Sequence, residues 1–578
     1  MPATPTPTPS DRSPLTEWRW LLPLVLVGLS LSIYPHLLAW AKTGSTAWIA
    51  SFDEFECYLP LASNAWHNHP WFLADPWRET GGDSMFPWLQ IIPATLAAKL
   101  LGTDPFGVCL VWRFWAGLSL PVGYFILIRR FVDSPAAAAG LVVLLLCAAG
   151  MIESRLDRHL IIWARIWGGV SGETFGSWPT LLHQFRLITP GLSWFFLFAF
   201  LWRFEVMVAM PTHRNILGGG LLLGLLIWLY FYFWTAVIVL LGCVWLTNRA
   251  ARSPVFFATL LGTIAGAPSI LLQRAAQQKY PHDWLERVDK FVPVDRFEHF
   301  YLPPVAIASL ALATVLVWWR HRDLRHLWLL AVIGYGLINS QVITGLTIEN
   351  MHWQYVMAPM VCLLVAILAY RETAARFGSR IWYRLAFGGL VAAYLMTGFQ
   401  TRHWEVTRSR QPREINAALL AYRNERAELD RIPWEPRALV AGDDLFAGLV
   451  SWDRNLRPYR LGSGYSPTLS HDDMDERCAL DDLLEGLEPE VALARATARY
   501  SDPGPGPWQY DSKTRQTRIS RAHEAVRRIA NNINGAAREA GIRYVALQRD
   551  SAAPDYLRSG WQKIHHGTHW QIWQEQRP

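Results

Sequence analysis

The sequence predicts a mainly α-helical, polytopic membrane protein that is followed by a soluble α/β domain. Hydrophobic residues make up 52% of the 578 residues and charged residues only 17%, where about a quarter is usual in soluble globular proteins. The shortage of charge falls within residues 20–400, which form a series of apolar blocks. The chain also has 31 tryptophans, and the indole ring prefers the boundary between membrane and water.

The apolar blocks define the predicted membrane helices, because a span needs about 20 mostly apolar residues. The block 215–247 exceeds one span, and YFYFW at 230–234 is its predicted turning point. We therefore expect 11–13 helices, beginning with a retained first helix after a disordered Pro/Thr-rich tail at 1–19. The candidate spans are 20–41, 86–102, 107–128, 135–152, 188–203, 215–247, 255–273, 301–319, 326–345, 352–370 and 382–399.

Long loops and a charged second domain complete the predicted organisation. The transmembrane domain covers 20–400, and residues 401–578 form the soluble α/β domain. Helical periodicity and i,i+4 charge pairs predict a helix over 414–431, and a second helix covers 522–541 and ends at Gly541. The long loops of the membrane domain are 42–85, 153–187 and 274–300, and the short β-rich runs of the soluble domain are 437–444, 543–550 and 569–574.

The net charge of +7 does not indicate a nucleic-acid partner, because Arg and Lys stand at the ends of apolar segments, where they fix membrane orientation. The sequence has no P-loop, GxGxxG, HExxH or CxxC motif in a credible context, so ATP-driven and dinucleotide-dependent mechanisms are poorly supported. The partner that composition does predict is the lipid bilayer.

Three carboxylates, Asp53, Glu54 and Glu56, directly follow the first predicted membrane helix. Carboxylates are costly to desolvate at a membrane edge, so this cluster needs a cation, a proton or a hydrogen-bond donor nearby. A carboxylate there can act as general base toward an acceptor hydroxyl or can ligate a divalent metal through oxygen. Their spacing alone fits a solvated start of the loop equally well.

Two other loops carry candidate binding residues. Asp83 stands in DPWRETGGDSMFPW, which is either an acceptor-binding loop or a plain turn. The second loop is rich in cations, whose bidentate Arg side chains suit a lipid-linked phosphate. The alternative for these cations is control of topology and contact with lipid headgroups. The phosphate candidates in this loop are Arg158, Arg165 and Arg186, with Arg186 favoured.

A further polar cluster, TGLTIENMHWQYVMAPM, opens a late membrane helix. His352 can contact a phosphate or a leaving group near neutral pH. Glu349 and Tyr355 are candidates for supporting an acceptor or a loop. The same residues also fit a helix-end cluster whose polar groups satisfy one another.

Three motifs follow one another over residues 50–132. They are D-E-x-x-x-Y at 53–58, MFPWLQIIPATLAAKLLG at 85–102 and FGVCLVWRFWAGLSLPVGYFILIRRF at 106–131. In this order and spacing they resemble the GT-C superfamily of membrane glycosyltransferases, which includes the protein O-mannosyltransferases, the lipid A aminoarabinose transferase and the catalytic subunit of oligosaccharyltransferase. Each motif is degenerate, and the remaining helices match only in general layout.

The resemblance implies transfer from a polyprenyl-phosphate sugar donor to a glycan, lipid or protein acceptor, with inversion. It places Asp53 as the carboxylate that activates the nucleophile, with Glu54 beside it. It also implies a multi-pass protein of a bacterial-type inner membrane, with the active site and the soluble domain facing the periplasm.

A divalent cation, Mg²⁺ or Mn²⁺ on Asp53 and Glu54, stays open, because Glu153, Asp157 and Glu173 form no clear second acidic motif. Two other readings of the sequence are a transporter or flippase for a lipid-linked or anionic substrate, and a non-catalytic partner in the assembly of an envelope polysaccharide.

Overall fold

A computed structural model of the chain shows a helical bundle with a mixed α/β domain at one end. The residues described are 17–68, 89, 91–148, 185, 191–278, 290–293, 296–297, 300–302, 304–348, 350–462, 466, 469–501 and 512–576.

Within these residues, eleven helices form the bundle and share one hydrophobic core, in agreement with the predicted 11–13. Five of them are long and apolar enough to cross a membrane. Large apolar side chains such as Phe256, Leu260 and Ile264 stay exposed on the outside of the bundle, where lipid would cover them. The bundle helices are α1 (Trp18–Thr43), α4 (Val108–Ile128), α5 (Pro135–Leu146), α6 (Gly191–Ala209), α7 (His213–Leu229), α8 (Phe231–Thr247), α9 (Arg252–Gln277), α10 (Pro304–Trp319), α11 (Arg325–Ile338), α12 (Gln354–Phe377) and α13 (Ile381–Thr407).

The eleven helices alternate in direction, so the bundle has two distinct ends. We call the end with residues 17–19, 129–133 and 320–325 the arginine end, and the end with residues 44–53 the loop end. Ion pairs join neighbouring helices at the arginine end, including Arg129 with Glu17 at 2.7 Å and Arg371 with Asp323 at 2.7 Å. Helix α1 begins at the arginine end, and α13 ends at the loop end, where Nδ1 of His403 lies 2.9 Å from the hydroxyl oxygen of Tyr34 on α1.

The block 215–247 is two helices, as predicted. Tyr230 has an extended backbone (φ −158°, ψ 118°) between α7 and α8, and this residue lies within the predicted turning point. The predicted span 86–102 is wrong for its described part. Helix α3 (Ile91–Leu100) has 10 residues and is about 15 Å long, half the thickness of the hydrocarbon layer. Its buried residues Ile91, Ile92 and Ala98 pack in a core shared with the C-terminal domain.

The C-terminal domain is built on a five-stranded sheet of order β4-β3-β5-β7-β6. Strands β3, β4 and β5 are parallel, and β7 is antiparallel to both β5 and β6. A separate antiparallel pair joins β1 to β2 at the loop end of the bundle. The strands are β1 (Lys290–Pro293), β2 (Leu346–Ile348), β3 (Leu439–Gly442), β4 (Arg457–Pro458), β5 (Ile542–Gln548), β6 (Trp561–His566) and β7 (Trp570–Glu575).

Helices cover both faces of this sheet. Successive residues of β3 point to opposite faces, so Leu439 and Ala441 lie in one core and Val440 lies in the other. Helices α14 and α15 cover the face nearer the bundle, and α15 packs on α2 (Leu59–His67). The helices of the domain are α14 (Arg410–Leu429), α15 (Asp444–Arg454), α16 (His471–Leu484), α17 (Pro489–Ser501), α18 (Ser512–Ala530) and α19 (Ile533–Glu539).

The sequence predicts part of this domain. The three predicted strands correspond to β3, β5 and β7, and the helix over 414–431 corresponds to α14. The helix predicted over 522–541 is instead two helices, because the side chain of Asn532 caps α19 by accepting from the Gly535 N–H at 2.9 Å. Gly541 follows α19 with a φ of +74°, the left-handed conformation that suits glycine after a helix.

Candidate active site at the first loop

The first loop leads from α1 into a single π-helical turn, Glu54–Tyr58, which continues into α2. Residues 45–50, before that turn, belong to no helix or strand. In the turn, the Leu59 N–H donates to the carbonyl oxygen of Glu54. Isolated π turns are rare and occur frequently at functional sites. The turn contains two of the three predicted carboxylates, and Asp53 directly precedes it.

Glu54 is fully buried in an ion pair with Arg113 of α4. Nη2 of Arg113 donates to Oε1 of Glu54 at 2.6 Å and to Oε2 at 2.7 Å. The side chains of Glu54 and Arg113 are 0% and 1% exposed, and the Ala50 N–H also donates to Oε2 at 2.9 Å. Glu54, predicted as a catalytic residue beside Asp53, is therefore enclosed between the loop and α4. Its carboxylate fixes the loop to the bundle.

Arg113 also contacts two other parts of the structure. Its guanidinium lies 4.7 Å from the centre of the Trp48 ring, and its Nη1 is 3.3 Å from Nε2 of His36 on α1. His36 in turn bonds to the carbonyl oxygen of Thr46 at 2.6 Å through Nδ1. Trp48 is buried rather than placed at the surface, with 2% of it exposed. Its ring is buried because the cation of Arg113 packs against its face.

Asp53 and Glu56 are partly exposed, in contrast to Glu54. The pKa of Glu56 is raised to about 7, mainly by burial and also by the nearby carboxylates of Asp444 and Asp53, against the opposing charge of Arg460. A carboxyl with this pKa exchanges its proton near neutral pH, as groups at catalytic sites often do. Asp53 and Glu56 could be predicted from the sequence, whereas Asp444 and Arg460, which come from the C-terminal domain, were not predicted.

Arg460 lies at the centre of an acidic group in that domain. It pairs with Asp444, with Asp481 at 3.1 Å, with Asp482 at 2.7 Å and with Glu485 at 3.3 Å. Burial is the main reason that the pKa of Glu485 is raised to about 6. The doublets Asp443-Asp444 and Asp481-Asp482 are visible in the sequence. Nothing in their spacing indicates that members of both doublets form ion pairs with one arginine beside the first loop.

His352 lies in an aromatic cluster at the loop end of the bundle. Its Nδ1 is 2.8 Å from the hydroxyl oxygen of Tyr230, the residue that separates α7 from α8. Its ring centre lies 4.9 Å from that of Tyr232 and 5.5 Å from that of Tyr355. Tyr355, predicted as a supporting residue, is 5% exposed. The structure therefore places His352 and Tyr355 together in this cluster.

The first turns of three helices meet around this cluster. Nε1 of Trp194, near the start of α6, donates to the carbonyl oxygen of Tyr355 at 2.8 Å. Nε1 of Trp353, directly before α12, donates to Oγ1 of Thr235 in α8 at 3.1 Å. Helix N-termini carry a partial positive charge, so the aromatic cluster lies where the fold favours an anion.

Several predicted site residues lie outside the described part of the chain. They are Asp83, Arg158, Arg165, Arg186 and Glu349.

The described residues also do not fit a divalent cation on Asp53 and Glu54. Both carboxylate oxygens of Glu54 accept hydrogen bonds from Arg113. Among the residues described, no group of three or more His, Cys, Asp or Glu side chains is arranged to hold an ion.

Comparisons with known proteins identify the fold. ArnT from Cupriavidus metallidurans, solved bound to undecaprenyl phosphate, superposes with a TM-score of 0.51 at 10% sequence identity, over 96% of this chain and 98% of the ArnT chain. The chain has the GT-C fold. The resemblance over residues 50–132 is thus confirmed at the level of the fold.

Two other glycosyltransferases with similar structures have lower scores. The oligosaccharyltransferase of Archaeoglobus fulgidus has a TM-score of 0.46 at 10% identity, over 93% of this chain and 70% of that chain. The arabinofuranosyltransferase AftD from Mycobacteria has a TM-score of 0.47 at 13% identity, over 97% of this chain and 40% of that chain. A scan of family models finds no match, and a search of curated protein sequences finds none either.

Proposed function

We propose that this protein is a membrane glycosyltransferase that moves a sugar from a polyprenyl-phosphate donor to an acceptor hydroxyl, with Asp53 as the catalytic base. The observation that carries the proposal is the arrangement of the first loop on a GT-C fold. The buried pair of Glu54 and Arg113 anchors the loop, and Asp53 and Glu56 remain partly exposed beside a third carboxylate, Asp444. ArnT, which has the same fold, binds undecaprenyl phosphate.

In the proposed reaction, Asp53 accepts the proton of the acceptor hydroxyl as the acceptor oxygen attacks the anomeric carbon of the donor. The bond between that carbon and the phosphate oxygen breaks, and its electron pair leaves on the lipid phosphate. One displacement of this kind inverts the anomeric configuration. Glu54 is a positioning residue in this scheme, because it acts on Asp53 through the backbone of the turn.

The donor phosphate is proposed to lie at the aromatic cluster around His352. The first turns of α6, α8 and α12 present backbone N–H groups and partial positive charge there, and the imidazole adds a hydrogen-bond donor. We assign Arg158, Arg165 and Arg186 of the second loop to the same phosphate, as their sequence positions suggest. Cations that neutralise the leaving phosphate supply the larger electrostatic part of catalysis.

The loop end is proposed to face the periplasm or the cell exterior. Each short connection at the arginine end contains or adjoins an arginine, among them Arg130, Arg214, Arg249 and Arg322, whereas the short turns 44–53 and 339–345 contain neither Lys nor Arg, and the cations of the loop end belong to its long loops. Short cytoplasmic loops carry the excess of Lys and Arg in membrane proteins. This distribution supports a cytoplasmic arginine end, with the first loop and the C-terminal domain on the opposite side of a bacterial-type inner membrane.

The test of this function is transfer by the purified protein in nanodiscs, with undecaprenyl-phosphate arabinose, mannose and aminoarabinose as labelled donors. Asp53→Asn is expected to lower the transfer rate at least 10²-fold, since a general base contributes roughly 10²–10⁴. Binding of undecaprenyl phosphate should stay unchanged. Asp550→Asn, at an exposed position of the C-terminal domain, is the matched control and should transfer at the rate of the unmodified protein.

Two outcomes would contradict the proposal. Asp53→Asn could transfer as fast as the unmodified protein, which would remove Asp53 as the base. Alternatively, the protein could move the labelled lipid between leaflets without transferring the sugar, which is the behaviour of a flippase.

A further inference from the structure

The backbone N–H and C=O groups of the segment before the catalytic turn have unusual hydrogen-bond partners. Residues 45–50 make no helix or sheet hydrogen bonds among themselves, yet Ile49 and Trp48 are 0% and 2% exposed. Buried backbone N–H and C=O groups must find partners. Here the partners are side chains that come from several distant parts of the chain.

One of these side chains belongs to the C-terminal domain. Oδ1 of Asn416, on α14, accepts from the Ile49 N–H at 3.0 Å. Nδ2 of the same amide donates to the Ile49 carbonyl oxygen at 2.7 Å and to the Pro412 carbonyl oxygen at 2.6 Å. A single primary amide therefore pairs with both polar groups of one peptide segment, as a neighbouring β-strand would.

The other partners come from the membrane domain. His36 bonds to the Thr46 carbonyl oxygen at 2.6 Å, and Nη1 of Arg113 reaches the Trp48 carbonyl oxygen at 3.5 Å. On the far side of Ile49, the Ala50 N–H donates to Glu54. Arg113 therefore holds the segment on both sides of Ile49, directly at Trp48 and through Glu54 at Ala50. Ile49 itself is held by Asn416 of the C-terminal domain.

We propose that Asn416 is a positioning residue for catalysis, and that through it the C-terminal domain sets the position of Asp53. This inference rests on the proposed function, since it assumes that Asp53 is the reacting carboxylate. Asp53 is four residues from Ile49 in the chain. The hydrogen bond from the Ala50 N–H to the Glu54 carboxylate joins the residue after Ile49 to the residue after Asp53. Displacement of Ile49 therefore changes where Asp53 stands relative to an acceptor hydroxyl.

The amide is well suited to this role because neither related side chain can replace it. Aspartate keeps the acceptor for the Ile49 N–H but sets a carboxylate oxygen against the Ile49 carbonyl oxygen. Leucine has the same branching at Cγ and leaves both buried backbone groups without this partner. Removal of only one partner of such a hydrogen bond is costly, because the other partner stays buried without a hydrogen bond.

The test compares Asn416→Asp and Asn416→Leu with Arg423→Gln in full-length protein in nanodiscs. Arg423 lies on the same helix and crosses the same interface, but its ion pair is with Asp104, away from residues 45–53. Both Asn416 variants should lower kcat at least tenfold with less than a threefold change in KM for the lipid donor. Arg423→Gln should keep kcat within twofold of the unmodified protein.

Amide hydrogen exchange provides a readout that does not depend on activity. In both Asn416 variants, the peptide that covers residues 46–54 should exchange at least tenfold faster, while the central strand β5 keeps its protection. Faster exchange in β5 as well would show general unfolding and would contradict a local positioning role. Unchanged kcat in both Asn416 variants would also overturn the inference. Absence of transfer by the unmodified protein would refute the proposed function, whereas the exchange result would still test the contact itself.

Discussion

At the scale of single residues, burial separates three carboxylates that are nearly adjacent in the chain. Glu54 is buried in an ion pair with Arg113, whereas Asp53 and Glu56 are partly exposed to solvent. A buried ion pair needs precise geometry, and loss of one partner leaves an uncompensated charge. The roles of the three residues thus follow from the direction in which the turn points each side chain, which their spacing in the sequence does not reveal.

The raised pKa of Glu56 predicts a specific dependence of stability on pH. The ordinary pKa of the carboxyl is 4.5 and its pKa in the folded protein is about 7. Between these values the unfolded chain loses this proton while the folded protein keeps it, so the unfolding free energy falls as pH rises, by roughly 1–3 kcal/mol for this partly exposed group.

Glu56→Gln removes this dependence because the amide does not ionise. The melting temperature of the variant, relative to that of the unmodified protein, should therefore be higher at pH 8 than at pH 5. Thermal unfolding followed by tryptophan fluorescence measures this difference. Glu488→Gln, at an exposed position, is the control, and its melting temperature should differ from that of the unmodified protein by the same amount at pH 5 and pH 8. An equal difference at the two pH values for Glu56→Gln would contradict the prediction.

The pair of Glu54 and Arg113 predicts a strong coupling energy. Arg113→Met should lower stability by about 3–5 kcal/mol, because it leaves the Glu54 carboxylate buried without its cation. Addition of Glu54→Gln to that variant removes the charge and should recover most of the loss. A double-mutant cycle on melting temperature measures the coupling, and additive losses would show that the two side chains do not depend on each other.

At the scale of elements, the crossing of α1 and α4 brings Glu54 and Arg113 within reach of each other. Gly28 and Gly117 face one another where the two helices cross. A Cβ atom at Gly117 would lie 2.9 Å from the carbonyl oxygen of Gly28, closer than real contacts allow. Ser32, one turn further along α1, donates to the carbonyl oxygen of Arg113 at 2.5 Å, which connects the crossing directly to the site.

Gly117→Ala is therefore expected to force the two helices apart. We expect a loss of about 1–3 kcal/mol, as is typical when a packed core is overfilled. Gly242→Ala, in α8, is the matched control, because a Cβ atom at Gly242 meets nothing within 4 Å. Its melting temperature should be unchanged or slightly higher, since alanine is the better helix former. Equal effects of both substitutions would contradict a close crossing.

Elements with strong periodic patterns could be predicted from the sequence, and short ones could not. The apolar blocks gave the bundle helices and the turning point at Tyr230, because the membrane imposes length and composition on each span. The predicted membrane span at 86–102 was wrong at α3, because IIPATLAAKL is apolar enough to resemble part of a membrane helix. Its apolar residues instead fill a core with the C-terminal domain, and such tertiary burial is not visible in local composition.

At the scale of the whole molecule, the C-terminal domain is joined to the membrane domain by a continuous core. Phe55 of the π-helical turn packs edge-on against Trp452 of α15, with ring centres 6.4 Å apart. Ser63 and His67 of α2 both bond to the Trp452 carbonyl oxygen, at 2.8 and 3.1 Å. Asp444 and Arg460 reach the site through this docking. Their contribution depends on contacts between residues almost 400 positions apart, which one sequence does not disclose.

The proposed orientation predicts which surface a membrane-impermeant reagent reaches. Arg322→Cys lies at the arginine end and Asp550→Cys lies in the C-terminal domain, both at exposed positions. In intact cells, an impermeant maleimide should label the cysteine at 550 at once and the cysteine at 322 only after permeabilisation. The six native cysteines are buried or partly buried, so background labelling should be low, and the reverse pattern would invert the topology.

The shared core also has a consequence for biosynthesis. Phe55 and Leu59 leave the ribosome about 500 residues before Trp570 and Ile572 of β7, yet all four belong to the same core. Translation of the intervening 500 or so residues takes roughly 25–100 s at 5–20 residues per second. Throughout that interval the nascent first loop exposes an apolar surface outside the bilayer, so maturation of this protein is expected to need a chaperone on the side where the C-terminal domain folds.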